Sequence, residues 1–92
     1  MPADRVYNWP NPVTGGLTKI HFYLSTNAKV SIGIYSFAGS KVADFEVNGV
    51  GGMANEIDWN TGGVQSGVYF ARVEAVSSNE RDVKIIKIAV VK

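Results

Sequence analysis

Residues 67–75 read GVYFARVEA, and this stretch carries the strongest β-strand signal in the chain. Valine, tyrosine and phenylalanine are enriched in strands. Successive side chains of a strand point to opposite faces, so Arg72 and Glu74 mark one face as solvated. The other face then places Tyr69, Ala71 and Val73 toward a core. We expect this strand to be central in its sheet.

Two earlier segments show the same period of two. Residues 18–24 (TKIHFYL) and residues 29–36 (KVSIGIYS) alternate apolar and polar side chains, which is typical of half-buried strands. The polar turn at residues 25–27 favours a hairpin between them. The predicted inward residues are Ile20, Phe22, Leu24, Val30, Ile32 and Ile34, with Lys19, His21 and Tyr23 on the opposite face of the first segment.

The middle of the chain is less regular. Residues 41–47 form a predicted strand whose apolar members are Val42, Phe45 and Val47, and a bulge would reconcile their spacing. Residues 48–52 (NGVGG) are glycine-dense and are predicted to be a loop. In the next predicted strand, residues 55–59, Ile57 and Trp59 share one face.

The two ends of the domain also read as strands. Residues 5–9 form a short edge strand that stops at the sequence PNP of residues 10–12, because proline cannot donate to a ladder. After a polar hairpin at residues 77–80, the final strand covers residues 83–91. Lys84 and Lys87 would point to opposite faces of a regular strand, so the alternation does not show which face is exposed to solvent. A bulge or a change of partner would account for that.

About seven short strands, with turn residues between them and no helical period, predict an all-β fold. We interpret residues 1–92 as one domain, an immunoglobulin-like Greek-key β-sandwich of antiparallel strands. A five-stranded oligonucleotide-binding barrel is the competing all-β fold. It usually contains a helix, for which this chain has no segment.

Composition excludes several classes of function. Nine basic and eight acidic residues give a net charge of +1, so no strong field attracts nucleic acid. Cysteine is absent, which removes disulfides and thiolate chemistry. The apolar run of residues 85–91 is interrupted by Lys87 and is too short to span a membrane. Residues 1–4 lack the basic start of a signal peptide, so the protein stays inside the cell or is part of a longer precursor.

No arrangement of residues predicts catalysis. Ser66 lacks the second glycine of a nucleophile elbow, and His21, the single histidine, has no matched acid in a cleft. Glu56, Asp58 and Asn60 share one face and could offer oxygens to calcium or imitate a glycosidase pair. A solvated strand face explains them more simply. We therefore expect no enzyme activity, no cofactor and no metal.

Aromatic side chains on predicted outward positions are the other candidates for binding. Tyr23, Tyr35 and Phe70 could form a platform for sugar rings or for a partner protein. We favour the alternative, in which a second sheet, a neighbouring domain or cross-strand pairing covers them.

Five short motifs occur in an ordered series. They are WPNP at residues 9–12, the alternating strand of residues 18–24, VSIGIY at residues 30–35 followed by AG at 38–39, DW at 58–59, and SGVYFARV at residues 66–73. As a set, they resemble the C-terminal sorting domains of the type IX (Por) secretion system and the related immunoglobulin-like domains of the flagellar hook-capping type. The family opens with Tyr-Pro-Asn-Pro, where this chain has Trp9, and the ending KIAVVK at residues 87–92 suits its lysine-containing last strand.

The resemblance implies a C-terminal module of a larger exported protein. Such a module follows a passenger domain, is recognised by the outer-membrane secretion machinery, and passes through the periplasm to the cell surface or the medium. A terminal strand with interspersed lysines would also suit strand addition by a receptor. The alternative is an accessory module that spaces, binds protein or binds carbohydrate beside an extracellular enzyme. The partner-binding residues expected from the resemblance are Pro10, Asn11, Pro12, Arg81, Lys84, Lys87 and Lys92.

Overall fold

A computed structural model of the chain describes residues 5–78 and 80–92. The opening residues 1–4, and Asn79 of the predicted polar hairpin, lie outside the described residues. The described part contains seven strands and no α-helix. The strands are β1 (Val6–Trp9), β2 (Leu17–Leu24), β3 (Ala28–Ser36), β4 (Lys41–Gly49), β5 (Met53–Asn60), β6 (Gly67–Val76) and β7 (Arg81–Val90).

The strands form two antiparallel sheets. One has the order β1-β2-β5 and the other the order β4-β3-β6-β7. The all-β fold is confirmed, and it is an immunoglobulin-like sandwich. β6 lies between β3 and β7, as predicted for a central strand. The predicted hairpin between β2 and β3 is wrong, because the chain crosses from one sheet to the other at residues 25–27 and each strand pairs elsewhere.

The core lies between the sheets and contains the predicted inward residues. Every member of the two alternating sets in β2 and β3 is buried, as are Tyr69, Ala71 and Val73 of β6. Trp59 of β5 meets Tyr69 edge to face across the sheets, with ring centroids 5.6 Å apart. The Tyr69 hydroxyl donates to the Gln65 carbonyl oxygen at 2.6 Å, which is the tyrosine corner found in immunoglobulin-like domains.

β4 contains the predicted bulge but is longer than expected. Ile34 pairs with Ala43 and Tyr35 with Lys41, so Val42 is the extra residue. The predicted loop at residues 48–52 is too long, because β4 continues to Gly49 and only residues 50–52 turn. Gly49 is needed for packing, since a Cβ there would collide with Leu24.

β7 pairs with β6 in one unbroken register, so neither of the two explanations considered for the last strand, a bulge or a change of partner, applies to this pairing. Its pairing with β6 continues without a shift from Arg81 to Val90. Ile86, Ile88 and Val90 point inward, and burial increases toward the C-terminal end of the strand. Lys84 has the same inward phase but lies where the face is less completely covered, which removes the apparent conflict with Lys87.

Candidate partner-binding surface

The turn after β1 lies against the last strand. Both X-Pro peptide bonds within residues 9–12 are cis. The Asn11 Nδ2 donates to the carbonyl oxygen of Lys87 at 3.1 Å, and Asn11 Oδ1 accepts from the Ala89 amide at 3.1 Å. A carboxamide offers the same donor and acceptor types as a peptide unit. Asn11 therefore takes the place of one backbone unit beside β7.

Val13 continues this contact along the same edge. Its amide donates to the Ala89 carbonyl oxygen at 2.7 Å, and its carbonyl oxygen accepts from the Val91 amide at 2.9 Å. Val13 and Val90 form a parallel bridge, and Val13 is buried. The Asn11 side chain and the Val13 backbone together occupy the outer edge of β7 from Lys87 to Val91.

A buried network of hydrogen-bonded side chains contacts the 10–12 turn. Asn8 Nδ2 donates to Thr18 Oγ1 at 3.2 Å, and the Thr18 hydroxyl donates to the Pro10 carbonyl oxygen at 3.0 Å. Asn11 Nδ2 is also 3.2 Å from Asn8 Oδ1. Sequence reasoning missed Asn8 and Thr18. The alternation of each strand could have revealed them, because both are polar residues at inward positions of otherwise apolar strand faces.

The C-terminal residue is attached to the loop between β5 and β6. The Lys92 amide donates to Ser66 Oγ at 2.9 Å, and Lys92 Nζ donates to the Gly62 carbonyl oxygen at 3.1 Å. Ser66, which we considered as a nucleophile, thus accepts a hydrogen bond from the end of the chain. These bonds hold Lys92 at the same end of the sandwich as the 10–12 turn.

The predicted partner-binding residues separate into two groups. The Lys87 carbonyl oxygen is bonded to Asn11 of the 10–12 turn, and Lys92 follows Val91, which is bonded to Val13 just after that turn. Arg81 begins β7, about 20 Å from Lys87 at the rise of an extended strand. Lys84 is 3.8 Å from Asp82 and faces inward in phase. The fold brings Lys87 and Lys92 to the turn and places Arg81 and Lys84 away from it.

Arg81 is already partnered on its own sheet. Its guanidinium binds the Glu74 carboxylate, and Arg72 Nη2 is 3.4 Å from the same oxygen. The hydrogen bond from Arg81 is the largest influence that lowers the pKa of Glu74 below its ordinary value of 4.5. Burial acts in the opposite direction and is outweighed. Arg81 thus has an ion-pair partner on its own sheet, and it shares that carboxylate with Arg72.

The residues considered for calcium lie on the outer face of the three-stranded sheet. Lys19 Nζ lies between Glu56 Oε1, at 3.3 Å, and Asp58 Oδ1, at 3.1 Å. The hydrogen bond to Asp58, followed by that to Glu56, raises the pKa of Lys19. His21 stacks on Tyr7 with ring centroids 4.7 Å apart. Among residues 5–78 and 80–92, no group of three or more acidic, His or Cys side chains could hold a metal ion.

The three aromatic residues predicted to face outward do not form one platform. Tyr35 and Phe70 pair across β3 and β6 on the outer face of the four-stranded sheet. Tyr23 is on the other sheet, where the Arg5 guanidinium lies 5.0 Å from its ring centroid. A sugar or a flat protein surface could contact Tyr35 and Phe70 together, but not all three residues.

Comparison with known proteins places this architecture in a family. The sequence model of the family described as "secretion system C-terminal sorting domain" matches residues 7–88. No curated protein matches the chain. Within the described residues, no helix is long and apolar enough to cross a membrane.

Two solved structures align with the chain. PorZ of Porphyromonas gingivalis, an essential bacterial surface component of the type-IX secretion system, aligns with a TM-score of 0.66 and 26% identity. The alignment covers 97% of this chain and 12% of PorZ, so the chain spans a small part of that protein. The C-terminal domain of wzt aligns with a TM-score of 0.42 and 15% identity, over 100% of this chain and 80% of that domain.

Proposed function

Because the chain belongs to the family of secretion-system C-terminal sorting domains, we propose that it directs a larger passenger protein through the type IX outer-membrane translocon. The observation that carries the proposal is the family match, which extends from residue 7 to residue 88 and so includes both the 10–12 turn and most of β7. The similarity to a region of PorZ supports the same secretion system. Membership of the family implies export to the cell surface or the extracellular space.

In this proposal the domain forms the C-terminal module of its precursor, after the passenger. It passes through the periplasm before it reaches the surface. It acts by being bound and performs no catalysis, in keeping with the general character of its family. The serine, histidine and carboxylates that could have suggested chemistry have structural contacts instead, such as the bond between Ser66 and the Lys92 amide.

The proposed recognition surface is the end of the sandwich where the 10–12 turn meets β7. Pro10, Asn11 and Pro12 are held there by the hydrogen bonds of Asn11. The Lys87 backbone is bonded to this turn, and Lys92 follows Val91, whose amide donates to the Val13 carbonyl oxygen. A surface built on paired strands keeps its shape, which lowers the entropy cost of binding a receptor.

A secretion assay tests the proposal. Residues 5–92 are fused to the C-terminus of a reporter enzyme that carries an export signal peptide, in a type IX-competent bacterium and in a strain that lacks the translocon. We expect reporter activity at the surface or in the medium of the competent strain only. Retention of the folded fusion inside the competent strain would contradict the proposal. A Val73→Asp variant, which charges a core position, is the control for folding.

Matched pairs of substitutions test which cations the translocon recognises. Lys87→Ala with Lys92→Ala removes two charges near the turn, and Arg81→Ala with Lys84→Ala removes two at the other end of β7. We expect the first pair to reduce export more than the second. Equal export by both pairs would remove these lysines from the recognition surface.

A further inference from the structure

Two exposed apolar side chains, one partly buried phenylalanine and one lysine lie on the outer face of the four-stranded sheet. We call Phe37, Phe70, Ile85 and Lys87 the outer patch. Phe37, in the turn after β3, is 80% exposed, and Ile85 is 63% exposed. The Phe37 and Phe70 rings lie 6.4 Å apart. Lys87 is directly opposite Phe70 in the ladder. Single exposed apolar residues are ordinary, but a contiguous group indicates an interaction surface.

Ion pairs neutralise most of the charge on the outer face of the four-stranded sheet. Lys29 lies 2.7 Å from Glu46, Lys41 lies 3.3 Å from Asp44, and Arg72 and Arg81 share Glu74. Over the described residues, Lys87 has no carboxylate within ion-pair distance. Its ammonium group therefore has no ion-pair partner there, and its strand position is the ladder neighbour of Phe70.

The wider surroundings have the same sign. On the outward-facing positions, β6 and β7 carry three cations, at positions 72, 81 and 87, and one carboxylate, at position 74. Opposite potentials across an interface select partners and accelerate encounter. The outer patch is complementary to a surface that combines apolar side chains with carboxylates.

Occupation of the β7 edge decides how a partner can approach. Strand addition by a partner, which we expected from the sequence, requires free backbone donors and acceptors along the last strand. Asn11 and Val13 already occupy that edge from Lys87 to Val91. A partner therefore reaches Lys87 through its side chain and through the face of the sheet.

We infer that the outer patch is the docking surface for an acidic, apolar surface of a protein in the secretion machinery. The partner's assignment to that machinery rests on the proposed function. A protein partner fits better than an anionic membrane, because membrane recognition uses clusters of 4–8 uncompensated basic residues. Here β6 and β7 carry only three outward-facing cations, and two of them share Glu74.

The reporter fusion described above also tests this inference. The variants are Phe37→Ser combined with Ile85→Ser, and the charge reversal Lys87→Glu. Each is compared with Lys87→Arg and with Val50→Ser combined with Met53→Ser, which removes two exposed apolar side chains outside the outer patch. We expect export to fall about tenfold in the first two variants, as loss of an interface anchor does. Urea midpoints of the purified domains should be unchanged.

The outcomes separate the two proposals. Export of the native fusion and of both outer-patch variants at equal levels overturns the docking surface and leaves the sorting function intact. Retention of the native fusion overturns the sorting function and, with it, the partner inferred here. Equal loss in the Val50 and Met53 variant, or in Lys87→Arg, also overturns the inference. Binding of the native domain to phosphatidylglycerol vesicles that Lys87→Glu abolishes would identify a membrane surface instead and would overturn it.

Discussion

The side-chain carboxamide of Asn11 donates to the carbonyl oxygen of Lys87 at 3.1 Å, across 76 positions of the sequence. This bond, with the one from the Ala89 amide to Asn11 Oδ1, joins the first turn of the domain to its last strand. It keeps the 10–12 turn beside β7 and occupies an edge that would otherwise present unpaired backbone groups. The proposed recognition surface depends on this contact for its shape.

Asn11→Ala should destabilise the domain by about 1–3 kcal/mol, because the Ala89 amide and the Lys87 carbonyl lose their partner. Urea denaturation measures the change. Amide hydrogen exchange at Ala89 should also become faster in the variant.

Asn60→Ala is the matched control for Asn11→Ala. Asn60 Oδ1 accepts from the Gly62 amide, a local and exposed bond, so the cost should be smaller. Equal urea midpoints for the two variants would show that the long-range contact of Asn11 adds no stability.

Trp59→Ala should cost about 3–5 kcal/mol, because this indole is 3% exposed and fills the space between the sheets. Tyr69→Ala should cost a comparable amount. A double-mutant cycle between Trp59 and Tyr69 should give a coupling of about 0.5–1.5 kcal/mol for their edge-to-face contact. Unchanged urea midpoints would refute the assignment of both residues to the core.

Tyr69→Phe isolates the tyrosine corner from the packing of the ring. It removes only the hydroxyl that donates to the Gln65 carbonyl oxygen, so the expected loss is about 0.5–1.5 kcal/mol. A loss as large as that of Tyr69→Ala would mean that the hydroxyl, and not the ring, dominates.

Gly51→Ala should destabilise the domain by about 1–3 kcal/mol through overpacking. An added Cβ would lie 2.5 Å from the Cα and carbonyl carbon of Thr26, and neither backbone segment can move away cheaply. Gly63→Ala is the control, because a Cβ there has no neighbour within 4 Å. The thermal unfolding midpoint of Gly51→Ala should therefore be clearly lower than that of Gly63→Ala. Equal transitions would contradict the close approach at Gly51.

The Glu74 carboxylate should contribute to stability only above mildly acidic pH. Its pKa is lowered in the folded protein by the hydrogen bond from Arg81, so its contribution is present above the unfolded pKa. The contribution is lost as pH falls through the lower, folded value. The urea midpoint of Glu74→Gln should therefore be below that of the native domain at pH 7, and the difference should shrink below about pH 4. A difference that grows on acidification would reverse the predicted sign.

The strands and their faces were largely predictable from the chain. A period of two decides which side chains can share a face, and the buried sets of β2, β3 and β6 follow it. The irregular spacing in β4 indicated a bulge, which Val42 forms. The similar difficulty in β7 had another cause, because Lys84 lies where the inner face is incompletely covered. Local pattern cannot distinguish a shifted register from incomplete cover by the opposite sheet.

The candidate surface was predictable only as a set of residues. The motif series pointed to the 10–12 turn and to the lysines of the last strand, and the fold brings Lys87 and Lys92 to that turn. The role of Asn11 in closing the β7 edge, the network of Asn8 and Thr18, and the separation of Arg81 from the turn came from the structure. The hairpin predicted between β2 and β3 was wrong for the same reason, because the sequence pattern of a strand does not show which other strand it pairs with.

By itself, the sequence determined the strand content, the inward faces and the absence of cysteine chemistry, because these depend on residue type and on a spacing of two. Tertiary structure alone decided which strands are neighbours, which edge is closed and which lysines lie within ion-pair distance of a carboxylate. These features are contacts between segments far apart in the chain, such as residues 11 and 87, and no local periodicity encodes them.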